Sequence, residues 1–330
     1  MKSLKIIGFA LAALSCVPYA EAQQAPKLTA IVQTDPGSKP APIALERSDG
    51  EGTFFYMQKG TDQLMQARAA SCSMFVIQTP ADMAKALRDY YGGDLADARK
   101  GFAAVKKKYA SFAGLPGSPG TLGALYEMVC AARMLDLAAL KTLSASIPGE
   151  KALNAVEKGQ VAAARILAMV DDTPASFAPI QQAVEALTKT AGVRLDSEAY
   201  GWTRYALGRA AAATMSVAND KAKSANAAID FYCQAAMSMH GSQKQMPADA
   251  VKRAMNLLWN MPGVQDYAAK APKPMDKKSW FAAPADFRDA VAMAHYYKAI
   301  YDSGTGAPDP LVNQLDAYHF NHLKGVKKGE

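Results

Sequence analysis

The sequence predicts a mainly α-helical chain of stacked antiparallel hairpins, preceded by a small antiparallel β module. Three observations support that class. Across residues 25–79, short runs rich in β-branched and aromatic residues alternate with clusters of Gly, Asp, Pro and Ser. From Thr79-Pro80 onward, apolar residues recur at spacings of three and four, the period of an amphipathic helix. Beyond that point the breaks carry Gly and Pro but no strand-like alternation. With 330 residues, 50% apolar and 20% charged, the composition suits a sizeable core and not disorder.

Residues 1–22 read as an export leader. Lys2 and Lys5 form a positive start and residues 6–17 (IIGFALAALSCV) an apolar run. Pro18 then breaks the run, and Ala20-Glu21-Ala22 offers a small-x-small cleavage site. The run is too short to span a bilayer, which takes roughly 20 apolar residues, and no later segment approaches that length. The expected location is the periplasm, with secretion a second outcome. Ala13-Leu14-Ser15-Cys16 is an alternative, a lipobox-like site at which Cys16 would carry a lipid anchor.

The β module comprises runs at 27–34, 43–47, 53–58, 64–69 and 72–78, separated by turn signals such as Asp35-Pro36-Gly37-Ser38 and Asp49-Gly50-Glu51-Gly52. This spacing suggests a small SH3-like antiparallel barrel over 25–79, too small to bury much alone and expected to lean on the helices C-terminal to it. Pro80 is expected to open a helix with Thr79 as its N-cap. Asp94 is placed to cap a second helix, whose Leu95, Ala98, Phe102, Val105 and Tyr109 draw one apolar stripe. Further helices are expected at 121–146, 149–170, 176–190, 196–217, 223–239, 247–260, 284–303 and 309–323. The helical domain would run over 80–330, with a possible subdivision near 171–175 and a linker at 270–283.

Residues 83–110 carry the motif that names a family. A first helix ends at Tyr90-Tyr91, Gly93-Asp94-Leu95 forms the turn, and Ala98, Phe102 and Val105 come next at small–aromatic–small spacing. This resembles a tetratricopeptide (TPR) hairpin, in which small residues let two helices approach and the aromatic fills the groove toward the next pair. Ala228, Tyr232 and Ala235 repeat the spacing, with Trp202, Tyr205 and Gly208 as the preceding helix; Ala292, Tyr296 and Ala299 form a third fragment. The matches do not fall at multiples of the roughly 34-residue TPR period, and the helix-ending Pro is missing after each. The chain is thus similar to a degenerate TPR-like α-solenoid. In overall plan it looks like uncharacterised exported bacterial proteins that join a short β module to TPR-like helices. That resemblance implies a binding or scaffolding role in the cell envelope, with no catalytic residue, cofactor or metal ligand to carry over.

No chemical constellation emerges from the residues themselves. His319 and His322 share one helix face but lack an acidic or Cys neighbour in sequence, so a packing or surface role outweighs a metal site. His240 suits a helix C-terminus, and His295 reads as an interface or core residue. The Gly/Pro loop at 114–120 has neither the Lys nor the preceding strand of a phosphate loop and reads as a stiff connector. Asp94 with Asp97, and Asp171 with Asp172, fit helix starts and turns. After leader removal three cysteines remain, Cys72, Cys130 and Cys233; Cys130 and Cys233 are either buried small residues or a disulfide.

A candidate binding groove is offered by Tyr200, Trp202 and Tyr205 on one helix and Tyr296 and Tyr297 on another, although aromatics in such arrays mostly form core. A net charge of +7 and the lysines of 270–278 would suit an anionic surface or glycan; nucleic acid is not expected as a partner outside the cytoplasm. The leading expectation is a non-catalytic adaptor or scaffold with a protein partner in the envelope. Its rival is an exported hydrolase acting on envelope or extracellular polysaccharide. A third reading is a structural subunit of an envelope assembly.

Overall fold

The computed structural model describes residues 27–58, 60–239, 244–302 and 309–319. The expected leader with Cys16, and His240 and His322, lie outside the described residues. Five antiparallel strands come first: β1 (Leu28–Gln33), β2 (Ala41–Ser48), β3 (Thr53–Met57), β4 (Leu64–Arg68) and β5 (Met74–Ile77). They form one sheet in the order β4-β3-β2-β1-β5, with a 3-10 turn at Ala69–Ser71 between β4 and β5. Successive side chains of a strand point to opposite faces. Leu28, Ala30 and Val32 of β1 accordingly face inward with Leu45, Phe54 and Ile77. Phe54 packs on Phe75 with ring centroids 4.9 Å apart.

The small sheet leans on the helices through its β2–β3 turn. Ser48 Oγ donates to the Ala113 carbonyl (2.7 Å), and Lys151 reaches Glu51 at 3.1 Å. Gly114 lies against Gly50 so closely that a Cβ there would sit 2.1 Å from the Gly50 carbonyl oxygen. Ala113, Gly114 and Lys151 therefore seat the sheet, with Gly114 at the head of the 114–120 loop.

Thirteen α-helices come after the sheet among the described residues. They are α1 (Ala81–Tyr91), α2 (Leu95–Lys108), α3 (Pro119–Arg133), α4 (Leu137–Ala145), α5 (Ala155–Leu167), α6 (Phe177–Lys189) and α7 (Ser197–Thr214). After these come α8 (Lys221–Ser238), α9 (Gln245–Trp259), α10 (Val264–Ala268), α11 (Lys277–Ala282), α12 (Ala285–Ile300) and α13 (Pro310–Asp316). Asp94 caps α2 by accepting from the Asp97 amide, and the stripe of Ala98, Phe102, Val105 and Tyr109 is buried, with Leu95 half-buried at its head. Tyr90 meets Phe102 edge-on at 6.1 Å, which joins α1 to α2. α2 packs on α3, α7 on α8, α8 on α9, α9 on α12 and α12 on α13. At Gly208 a Cβ would stand 2.8 Å from the Tyr232 ring, so glycine sets the approach of α7 to α8. No described helix is long and apolar enough to cross a membrane.

Several expected elements are corrected. Pro80, not Thr79, occupies the N-cap of α1, and it supplies no side-chain cap. The helix expected over 121–146 breaks where Leu135 takes φ 55° and Asp136 caps α4 through the Ala139 amide. The helix expected from 149 starts at Ala155, where Asn154 and Glu157 form a reciprocal capping box. The 270–283 stretch is not a free linker: it contains α11, capped by Asp276, and buries Met275, whose amide donates to the Tyr318 carbonyl at 3.4 Å. The third repeat fragment also faces the wrong way. On α12 the buried face is Phe287, Ala290, Val291 and Ala294, while Ala292, Tyr296 and Ala299 are exposed.

Candidate functional site

The five aromatics expected to share a groove are divided by the fold. Trp202 and Tyr205 are fully buried, because α7 is flanked by α5, α6 and α8 and has no open face at these positions. The Tyr205 hydroxyl donates to Asp249, which also accepts from Arg253 Nε at 2.6 Å, and the Tyr232 ring lies edge-on at 6.0 Å. Burial pushes the Tyr205 phenol up, and that of Tyr232 up to about 12, so both act as neutral core groups. Tyr200 is half-buried under Arg204, whose guanidinium stands 4.5 Å from the ring. Tyr297 packs under Lys252 Nζ at 4.9 Å. Of the five, Tyr296 lines an open surface.

That surface is a groove of 280 Å³ between α8, α9 and α12. Cys233, Ala236 and Met237 line it from α8, Val251 and Ala254 from α9, and Ala292, Met293 and Tyr296 from α12. Each helix contributes residues three or four apart, hence one face. Alanine at three of the positions leaves room that larger side chains would fill. Met237 is 78% exposed at the lip, an unusual position for so apolar a side chain. Methionine's flexible, polarisable chain suits surfaces that adapt to an occupant. Burial, and then the negative charges of Asp230 and Asp289, push the Cys233 thiol up, which keeps it protonated and a poor nucleophile. The groove is equipped to bind apolar side chains.

Met237 and Met293 were not singled out from the sequence, since an apolar residue at helical spacing reads as core. The available signal was that Cys233 and Met237 fall off the buried stripe of α8, which runs through Ala225, Ala228, Ile229, Tyr232 and Ala235. A second cleft, of 590 Å³, lies between α4 and α5 and includes Lys141, Arg165 and Asp171. Its Arg165 is committed to Glu150 at 2.7 and 2.6 Å and to the Ser144 carbonyl at 2.8 Å.

Among the described residues no three His, Cys, Asp or Glu side chains converge on a metal position, and Cys72, Cys130 and Cys233 are free thiols. The expected carboxylate pairs serve structure: Asp97 meets Lys100 at 2.9 Å, Asp171 accepts from the Thr173 amide, and Asp172 pairs with Arg209. His295, expected at an interface or in the core, is exposed and stacks on His319 at 3.7 Å.

Asp316 fastens α13 to α12 through His295 Nδ1 (2.9 Å) and Lys298 Nζ (2.8 Å). Burial raises its pKa, but the hydrogen bonds from Lys298 and His295 outweigh burial and hold it below the usual range. A depressed folded pKa contributes stability above the unfolded value, near 3.9, that disappears as pH falls through the folded one. The protection of the α13 amides, taken relative to their intrinsic exchange rate at each pH, is expected to fall below about pH 4 as Asp316 takes up a proton. Asp316→Asn should remove that acid step; an identical acid profile in the variant would show that another group is responsible.

No protein-family profile, curated protein or solved structure matches this chain.

Proposed function

We propose that the chain is a non-catalytic, exported scaffold of the cell envelope that docks a helical segment of a protein partner in the α8–α9–α12 groove. The observation that carries this reading is an open, carbon-lined groove with Met237 standing at its lip. Exposed apolar patches on folded proteins mark interaction sites, and three-helix grooves of this kind receive the apolar face of a fourth helix. The pairing of α1 with α2, α2 with α3, α7 with α8 and α8 with α9, each with its neighbour in sequence, supports a TPR-like stack of hairpins, although α5 packs on α7 and α12 on α9. The strand order β4-β3-β2-β1-β5 with a 3-10 turn before β5 supports the SH3-like reading of the N-terminal module. Export rests on the leader-like residues 1–22.

Photo-crosslinking in cells, from a reactive residue at position 237 and a control at exposed position 91, tests the reading. One protein adduct is expected from position 237 in the envelope fraction, lost when Ala254→Trp fills the groove floor. Equal adducts from both positions, or adducts indifferent to Ala254→Trp, would refute docking there.

A further inference from the structure

We infer that the occupant of the α8–α9–α12 groove is a basic amphipathic helix, held by apolar anchors in the groove and by Lys or Arg side chains against Asp230 and Asp289. The inference rests on the docking reading above and deepens it. Asp230 lies three residues before Cys233 on α8, and Asp289 three before Ala292 on α12. On a helix that spacing puts each carboxylate on the same side as a groove-lining residue of its own helix, Asp230 beside Cys233 and Asp289 beside Ala292. After burial, both negative charges push the Cys233 thiol up, which sets both carboxylates near that residue.

Neither Asp230 nor Asp289 makes an ion pair or hydrogen bond among the described residues, and both are exposed. Most other carboxylates on the helices are engaged. Asp136, Asp196 and Asp220 cap helices, and Glu127, Asp249 and Asp316 meet cations. In a chain of 37 Lys and Arg against 30 Asp and Glu, an apolar groove flanked by two uncommitted carboxylates departs from the general balance. Two uncommitted like charges beside an apolar groove are complemented by a cation supplied from outside. An acidic partner would meet repulsion at the same place, and a purely apolar one would leave the carboxylates unused.

Three designed helical peptides with the same apolar positions and Lys, Gln or Glu flanks would be titrated against the full chain by fluorescence anisotropy at low and high salt. The Lys peptide is expected to bind most tightly, the Glu peptide least, with the difference shrinking as salt rises. Asp230→Asn and Asp289→Asn should each weaken the Lys peptide by about two- to five-fold and leave the Gln peptide unchanged. Circular dichroism of each variant checks the fold. Equal binding of the three peptides, abolished by Ala254→Trp, would overturn the basic occupant while keeping the groove as a docking site. Binding by none, or binding untouched by Ala254→Trp, would overturn both.

Discussion

Replacing Glu198 with leucine is expected to destabilise the protein by about 3–5 kcal/mol, the cost of leaving one member of a buried ion pair behind. Arg133, at the end of α3, gives Glu198, in the first turn of α7, two parallel hydrogen bonds of 2.6 Å. The two side chains are only 13% and 9% exposed, so solvent screens the pair little. The guanidinium is further fixed 4.2 Å over the Tyr90 ring, which ties α1 into the same contact. Without the carboxylate, Arg133 would keep the ring but lose both charge-assisted acceptors while remaining desolvated. The double variant Arg133→Met with Glu198→Leu should recover most of the loss, because two apolar chains of similar volume need no such compensation. Urea denaturation of the wild type and both variants measures this. A single variant within about 1 kcal/mol of wild type, or a double variant no better than the single, would remove the pair from the stabilising contacts.

The second large effect concerns how the sheet is seated. Gly114→Ala would place a methyl group 2.1 Å from the Gly50 carbonyl oxygen, at a residue whose φ of +87° already excludes most side chains. Left-handed strain and backbone overpacking together should cost about 3 kcal/mol. Because the clash falls on the β2–β3 turn, the sheet should loosen before the helices do. Amide exchange in β1, β2 and β3 would rise while that of α7 and α8 stays near wild type. Gly117→Ala is the control: its φ of +70° brings strain, but no atom lies within 4 Å, so a loss of only about 1 kcal/mol is expected. If the two alanine variants behaved alike, the close approach to Gly50 would not be what seats the sheet.

Much of the fold was legible because local physics governs it. Each expected strand has its counterpart, since alternation such as Leu28, Ala30, Val32 marks a half-buried strand and the Gly-rich turns mark its ends. The α2 stripe from Ala98 to Tyr109 was legible for the same reason at a different period. The break at Leu135 was not. A leucine in the left-handed region is held there by its surroundings, and nothing in Met134-Leu135-Asp136 announces a break to a reader looking for Gly or Pro. α11 was hidden by its neighbours, since Lys- and Pro-rich flanks suggest a linker whether or not Asp276 caps a helix beside them.

Residue order and periodicity set the succession of elements: a β module up to residue 79, amphipathic helices after it, and the absence of any motif that nominates a catalytic residue. Which aromatic and apolar side chains meet solvent was left to packing between helices. Trp202 and Tyr205 vanish into the core because other helices flank α7, whereas Met237 and Tyr296 stay open because α8 and α12 each leave one side uncovered. A hydrophobic residue reports only that burial is favourable; how many neighbours arrive to bury it depends on contacts between helices distant in sequence.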